Sequence, residues 1–290
     1  MAVFEFLDFG DNGERLILYN NQSNQETGRG RPRALSPFNS YVLTLMRLRR
    51  NFSLEHLSYL FKVSSSTISN TTVSYINYMY LKFGALNIWP SKEQIKNVMP
   101  KSCKEKFPNT RTIIDCVEFK VEVPSKLFLH KLFYSDYKSH TTVKVLVGIT
   151  PGGGFNFISS AYPGSISDKD ITFRSGILNP HLWEQGDAIM ADRGFTIQEY
   201  TDNLGIELII PSFLNGRDQL SEKEVIHTQQ IASDRIYVER MIQRLKCYHI
   251  FDRPIQLSMV GTLNQIISVC AMLANFDDPI IQNSKEGDPL

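Results

Sequence analysis

Two aspartates stand at positions where an ionised side chain is costly to place. Asp115 lies inside the apolar stretch 112–117, and Asp192 directly follows the apolar stretch 188–191. An unpaired carboxylate is rarely buried, so such groups are normally hydrogen-bonded, ion-paired or bound to a metal. Either aspartate alone is explained more simply as a cap at a turn or a strand end, whereas the two together favour a shared cation.

A third carboxylate lies on a long predicted helix, residues 223–249. Arg235, Glu239 and Lys246 are four and seven residues apart, so they share one helix face. On this face Arg235 would keep Glu239 ionised, and Lys246 could contact a DNA phosphate. A solvated charged face shows the same spacing, so the pattern alone leaves both interpretations open.

Three carboxylates of this kind form an all-oxygen site, which favours Mg²⁺ or Mn²⁺ over zinc. Two such ions, about 4 Å apart, would activate a water or a 3′ hydroxyl and stabilise the departing oxygen in a phosphoryl displacement. We therefore predict Asp115, Asp192 and Glu239 as catalytic and metal-binding residues, with two Mg²⁺ or Mn²⁺ ions. Asp168 is a reserve candidate, as a ligand or as a residue that supports the ligands.

The charge distribution separates a basic region from this acidic one. Residues 29–110 carry thirteen Lys and Arg against three acids, whereas residues 111–290 carry seventeen against twenty-two. A basic block favours a polyanionic partner, because each Lys or Arg that neutralises a phosphate releases a counterion. A solvated surface is the simpler alternative.

Three helices are predicted between residues 36 and 86, and together they indicate a helix-turn-helix. The first follows Ser36, the second begins at Ser53, and the third covers residues 65–84. The third would enter the major groove of double-stranded DNA, where its first small polar residues could reach bases and phosphates: Ser65, Ser66, Thr67, Ser69 and Asn70. A plain three-helix packing module remains the alternative.

Residues 1–35 are predicted as a disordered lead-in, because the polar stretch 20–33 offers little to a core. Residues 28–33 resemble an AT-hook, whose arginines, here Arg31 and Arg33, would enter an A·T minor groove. A basic lead-in to the next helix explains the same residues slightly better.

Beyond residue 86 the pattern predicts a linker at residues 87–110 with at most one short helix, 91–98. The pattern then predicts an α/β domain with a mixed sheet at residues 111–276, followed by a tail at 277–290. The glycine cluster 151–154 has strand patterns on both sides, so we interpret it as a hairpin turn and not as a phosphate-binding loop.

The composition limits which classes of protein remain possible. No run of eighteen apolar residues and no signal-peptide pattern is present, so the sequence predicts an intracellular protein that uses no membrane. The four cysteines have no zinc-type spacing and are expected to be reduced and mostly buried.

Taken together, the motifs resemble the DDE superfamily endonuclease domain of Harbinger-like and related insertion-sequence transposases. The resemblance spans about residues 30–276 and depends on seven ordered segments, residues 30–36, 114–118, 135–140, 165–170, 190–195, 210–214 and 235–246. Two positions depart from the family pattern. Ala232 stands where a Tyr is expected three residues before Arg235, and Val117 stands where Thr is frequent.

The resemblance implies an RNase H-like fold with Asp115, Asp192 and Glu239 as the catalytic triad, preceded by a small all-α helix-turn-helix domain. It implies a transposase that cuts and joins DNA as a homodimer or higher oligomer, with an accessory DNA-binding protein in some relatives. In a eukaryotic host such a protein acts in the nucleus. Two alternatives stay open, namely a domesticated DNA-binding protein without catalysis and a metal-dependent nuclease without a joining step.

Overall fold

A computed structural model describes residues 2–11, 13–16, 33–214 and 216–280. The chain divides into two compact units. The first, called the helical unit, combines Met1–Leu86 with Lys246–Phe276, and the second, called the sheet unit, combines Asn87–Leu245 with Asp277–Leu290.

The helical unit contains the predicted helix-turn-helix. After α1 (Ala2–Leu7) come α2 (Pro37–Arg50), α3 (Leu54–Phe61) and α4 (Ser65–Gly84). The last three begin alike, because a serine side chain accepts the backbone N–H three residues later and so satisfies a free donor of the first turn. Leu43, Leu57 and Ile68 join the three helices in one fully buried cluster.

The beginning of the chain differs from the predicted disordered lead-in. Leu7, Phe9 and Leu16 are almost fully buried. The Phe9 ring lies 4.8 Å from that of Tyr75 in α4, centroid to centroid. Aromatic residues in the first nine positions therefore supply apolar surface that the polar stretch after them lacks. Most of the AT-hook-like segment, including Arg31, lies outside the described residues.

The helical unit is completed from the other end of the chain. Short 3₁₀ turns at His249–Phe251 and Leu257–Thr262 lead into α11 (Leu263–Asn275), which packs on α4. The stretch Leu257–Asn275 is long and apolar enough for a membrane span by length and composition. Nine residues of α11 are nevertheless buried, so its apolar character serves the helical unit. The sequence predicts an α/β domain that includes this segment, at residues 111–276, whereas the compact units assign Lys246–Phe276 to the helical unit.

Residues 87–110 are not a bare linker but part of the sheet unit. They form two short helices, α5 (Lys92–Val98) and α6 (Lys101–Lys106), where only the first is predicted. Each helix buries one apolar residue, Ile95 in α5 and Cys103 in α6, and the residues that follow the two helices, Met99 and Phe107, are buried as well.

The sheet unit is built on a mixed sheet whose strands are β1 (Thr110–Lys120), β2 (Tyr134–Ser135), β3 (His140–Ile149), β4 (Phe155–Ile158), β5 (Tyr162–Pro163), β6 (Ala188–Met190) and β7 (Glu207–Ile209). Strand β3 is antiparallel to β1 and β4, whereas β6 is parallel to β1 and β7 is parallel to β6. The mixed sheet that the sequence predicts is therefore present, with antiparallel pairing on one side of β1 and parallel pairing on the other. Gly153, with φ of 89°, lies in the β3–β4 hairpin turn, as expected for the glycine cluster.

Four helices accompany this sheet: α7 (Leu127–Phe133), α8 (Asp168–Arg174), α9 (Gln198–Leu204) and α10 (Glu222–Lys246). Ile171 of α8 packs with Ile114 of β1 and Ile189 of β6 in the main core cluster. The core thus lies between these helices and the central strands, and this packing holds β1 and β6 in place.

Candidate active site

Asp115 and Asp192 lie near each other because both follow the point at which the parallel pairing of β1 and β6 stops. Strand β1 pairs with β6 as far as Ile113, which lies opposite Met190. Asp115 lies two residues beyond that pair in β1, and Asp192 lies two residues beyond the end of β6. The structure therefore brings two of the three predicted carboxylates to one edge of the sheet.

The environment of Asp115 disfavours a negative charge. Burial raises the pKa of its carboxyl group to about 6, and the nearby charges of Asp192 and Asp168 act in the same direction. The backbone N–H of Cys116, 2.8 Å from Asp115 Oδ1, and the Arg235 guanidinium oppose this rise in pKa. Carboxylates are thus crowded around Asp115, and the Arg235 guanidinium partly offsets their charge.

Arg235 is the cation that faces these carboxylates. Its Nη1 lies 3.1 Å from Asp192 Oδ1, which also accepts the backbone N–H of Arg193 at 2.8 Å. The sequence predicts Glu239 as the partner of Arg235. In the structure Arg235 is paired instead with Asp192, which lies forty-three positions away in the chain. The Arg235 side chain is only 14% exposed, so a DNA contact through it would require this pair to open.

A second charged network lies beside Asp115 and was missed by sequence reasoning, apart from Asp168. Lys144 Nζ lies 3.3 Å from Asp168 Oδ1 and 3.9 Å from Glu118 Oε1. Glu118 Oε2 also accepts the Thr142 hydroxyl at 2.6 Å. Lys144 and Glu118 are opposite each other on β3 and β1, and only this strand register reveals their proximity.

Asp168 is also close to the turn that holds Asp192. A Cβ atom added to Gly194 would lie 3.2 Å from Asp168 Oδ2, so the glycine permits the turn to approach this carboxylate. Asp168 therefore lies within the electrostatic reach of Asp115 and against the Asp192 turn. This position agrees with its role as a reserve candidate, which remains a prediction.

Glu239 is placed differently. It is exposed on α10, one turn beyond Arg235. Within the described residues, no three Asp, Glu, His or Cys side chains are placed to hold one metal ion. The oxygen donors suit Mg²⁺ or Mn²⁺ by their chemistry, but their arrangement brings Asp115 and Asp192 together without completing a three-ligand site. The metal-binding role of the three acids stays a prediction.

The predicted DNA-contact residues of the helical unit lie on the first two turns of α4. Ser66 is exposed, and the other four are half-buried: Ser65, Thr67, Ser69 and Asn70. Arg33 donates to the backbone carbonyl of Leu16 at 2.7 Å, which attaches this arginine to the first residues of the chain. Lys246 is exposed at the last position of α10.

Comparisons with known proteins bear on both units. Residues 33–85 match the model of the helix-turn-helix of DDE superfamily endonuclease. No curated protein matches the chain. Among solved structures, the chain is similar to the piggyBac transposase in a synaptic complex with hairpin DNA, with 10% identity and a TM-score of 0.42, over 95% of this chain and 72% of that one.

The model of the DDE superfamily endonuclease matches residues 114–275, a range that begins just before Asp115 and includes Asp192 and Glu239. This range covers more than half of the 290-residue chain. The chain therefore belongs to the DDE superfamily endonuclease family.

Proposed function

We propose that this protein is a transposase that binds double-stranded DNA, hydrolyses phosphodiester bonds and transfers the cut strand. The observation that supports it most directly is the meeting of Asp115 and Asp192 at one sheet edge, in a family of endonucleases. Asp115, Asp192 and Glu239 would hold Mg²⁺ or Mn²⁺. When bound, two such ions supply an activated hydroxyl and stabilise the leaving oxygen. In a eukaryotic host it would act in the nucleus.

The protein's own residues prepare this edge in two ways. Partial burial of Asp115 and the charges of Asp192 and Asp168 make the edge strongly favourable for cations, because each added positive charge relieves repulsion. Arg235 supplies one such charge already and holds the Asp192 carboxylate in a fixed orientation. The helical unit, with the first turns of α4, would hold the DNA.

A plasmid-nicking assay tests the proposal. We expect cleavage in Mg²⁺ or Mn²⁺, and a loss of at least about a hundredfold in Asp115→Asn, Asp192→Asn and Glu239→Gln, since each change removes a charged oxygen donor. Glu199→Gln on α9 is a matched control for an exposed glutamate and should cut as well as the parent. Equal cutting by all three site variants would refute the assignment.

Strand transfer is tested separately, with pre-cut DNA ends and a target plasmid. Joined products that need the same three acids would support transposition. Cleavage without joining would identify a nuclease instead, and DNA binding without either activity would identify a DNA-binding protein that retains only the fold.

A further inference from the structure

Strands β1 and β3 extend well beyond the edge at which Asp115 and Asp192 meet. Strand β1 leaves β6 after Ile113 but stays paired with β3 up to Lys120. Seven further residues of strand correspond to roughly 23 Å. The β1–β3 pair thus continues past the acids, where β5 also pairs with β3 at Val143 and Lys144. Residues 121–140, here called the arm, follow its far end, and the backbone carbonyl of Leu132 in the arm accepts the Ser165 hydroxyl at 2.7 Å.

The arm exposes an unusual amount of apolar surface. Helix α7 (Leu127–Phe133) has no buried residue, and its Leu127 and Phe128 are 81% and 75% exposed. Tyr137, in the following turn, is 84% exposed. Large apolar side chains that a short folded segment leaves exposed favour a binding site.

Along the sequence of the arm, lysines lie among the exposed apolar and aromatic residues. The arm carries three lysines, Lys126, Lys131 and Lys138, against the two acids Glu122 and Asp136. Lys138 Nζ lies 4.3 Å from the centre of the Tyr137 ring. Exposed aromatic rings beside lysines are typical of surfaces that stack on unpaired bases while neutralising phosphates. The combination of exposed rings and adjacent lysines argues for a nucleic acid over an apolar protein partner.

The turn that carries Tyr137 is held in a defined shape. Ser135 is buried, and its Oγ accepts the backbone N–H of Lys138 at 3.3 Å. Ser139 has φ of 54°, so the chain reverses there before β3 begins. Tyr137 and Lys138 are therefore presented outwards by a fixed turn and not by a loose segment.

We propose that the arm binds the DNA substrate next to the cutting site, with Phe128 and Tyr137 stacked on unpaired bases and with Lys131 and Lys138 on adjacent phosphates. The inference rests on the proposed function, because it is that function which brings a DNA end to this edge. It assigns to residues 121–140 a selectivity for unpaired DNA that the helix-turn-helix does not provide.

The test compares two DNA probes on the full-length protein in chelator, so that no cleavage occurs. One probe is a blunt duplex, and the other is the same duplex with a short single-stranded tail that contains 2-aminopurine. We expect the parent to prefer the tailed probe and to quench 2-aminopurine fluorescence. The double variant Phe128→Ala/Tyr137→Ala should lose about tenfold in affinity for the tailed probe, with little change for the blunt one, and should lose the quenching.

Phe173→Ala is the matched control, because Phe173 is a 61% exposed aromatic residue of the same unit that lies outside the arm. It should leave both affinities unchanged. Since Phe128 and Tyr137 are largely exposed, their removal should not alter the thermal midpoint. If the parent and the double variant each bound the tailed probe no more tightly than the blunt probe, and with the same affinity as each other, the proposal would be overturned.

A dimer of the parent that dissociates in the double variant, with unchanged DNA affinity, would also overturn it, because the arm would then join two copies of this chain. Nicking in Mg²⁺ is measured in parallel. Tail-dependent binding without any nicking would contradict the proposed function and leave the role of the arm supported, so the two failures are distinguishable.

Discussion

Several influences act on the single carboxyl group of Asp115. Burial and the neighbouring charges of Asp192 and Asp168 raise its pKa to about 6, while Arg235 and the Cys116 N–H limit that rise. Carboxylates held close together repel one another, so this site destabilises the folded chain until a cation binds there. In the proposed function the same crowding attracts the metal ion, so the proposal sets stability against function at Asp115.

Asp115→Asn should stabilise the metal-free protein at neutral pH. The folded-state pKa of about 6 lies above the usual 3.8, so the folded state binds the proton more tightly, and stability falls as pH rises from about 4 to about 6. Two pKa units correspond to at most about 3 kcal/mol. In chelator we expect the melting temperature to rise by about 5 °C at pH 7.5, and the gain to vanish near pH 4. A gain independent of pH would contradict this account.

Arg235→Gln should strengthen the binding of Mn²⁺ in the absence of DNA. The guanidinium occupies Asp192 Oδ1 and repels a second cation at the same edge. Its removal should lower the Kd for Mn²⁺ by about tenfold, which titration calorimetry would measure. Lys223→Gln, an exposed charge at the other end of α10, is the control and should leave the Kd unchanged. Weaker Mn²⁺ binding in Arg235→Gln would show that the arginine supports the site.

At the scale of single elements, α4 combines a packing face with a polar first turn. Ile68 and Tyr75 are buried in the helical unit, while Ser64 Oγ is hydrogen-bonded to Ser66 Oγ at 2.9 Å and to Thr67 Oγ1 at 2.8 Å. The serines thus cap the helix, and Ser66 also remains exposed for a phosphate or a base. Capping and DNA contact can therefore be separated by a substitution that preserves the helix.

Ser66→Glu should weaken DNA binding by at least about tenfold without unfolding α4. A carboxylate in the first turn favours the helix through its dipole, yet it repels a phosphate placed there. Leu81→Glu adds the same charge near the other end of α4, where Leu81 is 70% exposed, and should bind DNA as the parent does. Fluorescence anisotropy with a labelled duplex measures both. Equal affinity of Ser66→Glu and the parent would remove the first turn of α4 from the DNA interface.

At the scale of the whole molecule, the compact units are not continuous stretches of the chain. The helical unit is assembled from both ends of the chain, Met1–Leu86 and Lys246–Phe276, and the sheet unit lies between them in sequence. Helix α10 runs from the sheet unit to the boundary at Lys246. A change near residue 270 should consequently affect the helix-turn-helix at residues 37–84.

Val269→Asp provides this test. Val269 is fully buried in α11, so an ionised side chain there costs several kcal/mol and should melt the helical unit. We expect DNA binding to fall at least tenfold and the thermal midpoint to drop. Asn264→Asp, exposed at the beginning of the same helix, should change neither. Normal DNA binding by Val269→Asp would mean that the helix-turn-helix is stable without α11.

The sequence by itself determined the local elements and the family. Serine caps and helical spacing predict α2, α3 and α4, and alternating apolar stretches predict the main strands, because these signals depend on near neighbours in the chain. Asp115 and Asp192 stood out because a carboxylate inside or directly after an apolar strand needs a partner. Glu239 is a candidate because it shares one helix face with Arg235 and Lys246, and the family resemblance implies the same three acids. The family models confirm the family.

Only the tertiary structure decided which distant residues become neighbours. The partner of Arg235, the Lys144–Glu118–Asp168 network and the place of α11 in the helical unit depend on strand register and on packing across long separations. The order of the first residues likewise depends on distant aromatic rings such as Tyr75. Such contacts carry no periodic signal in the chain, because packing energy depends on what meets in space and not on spacing along the backbone.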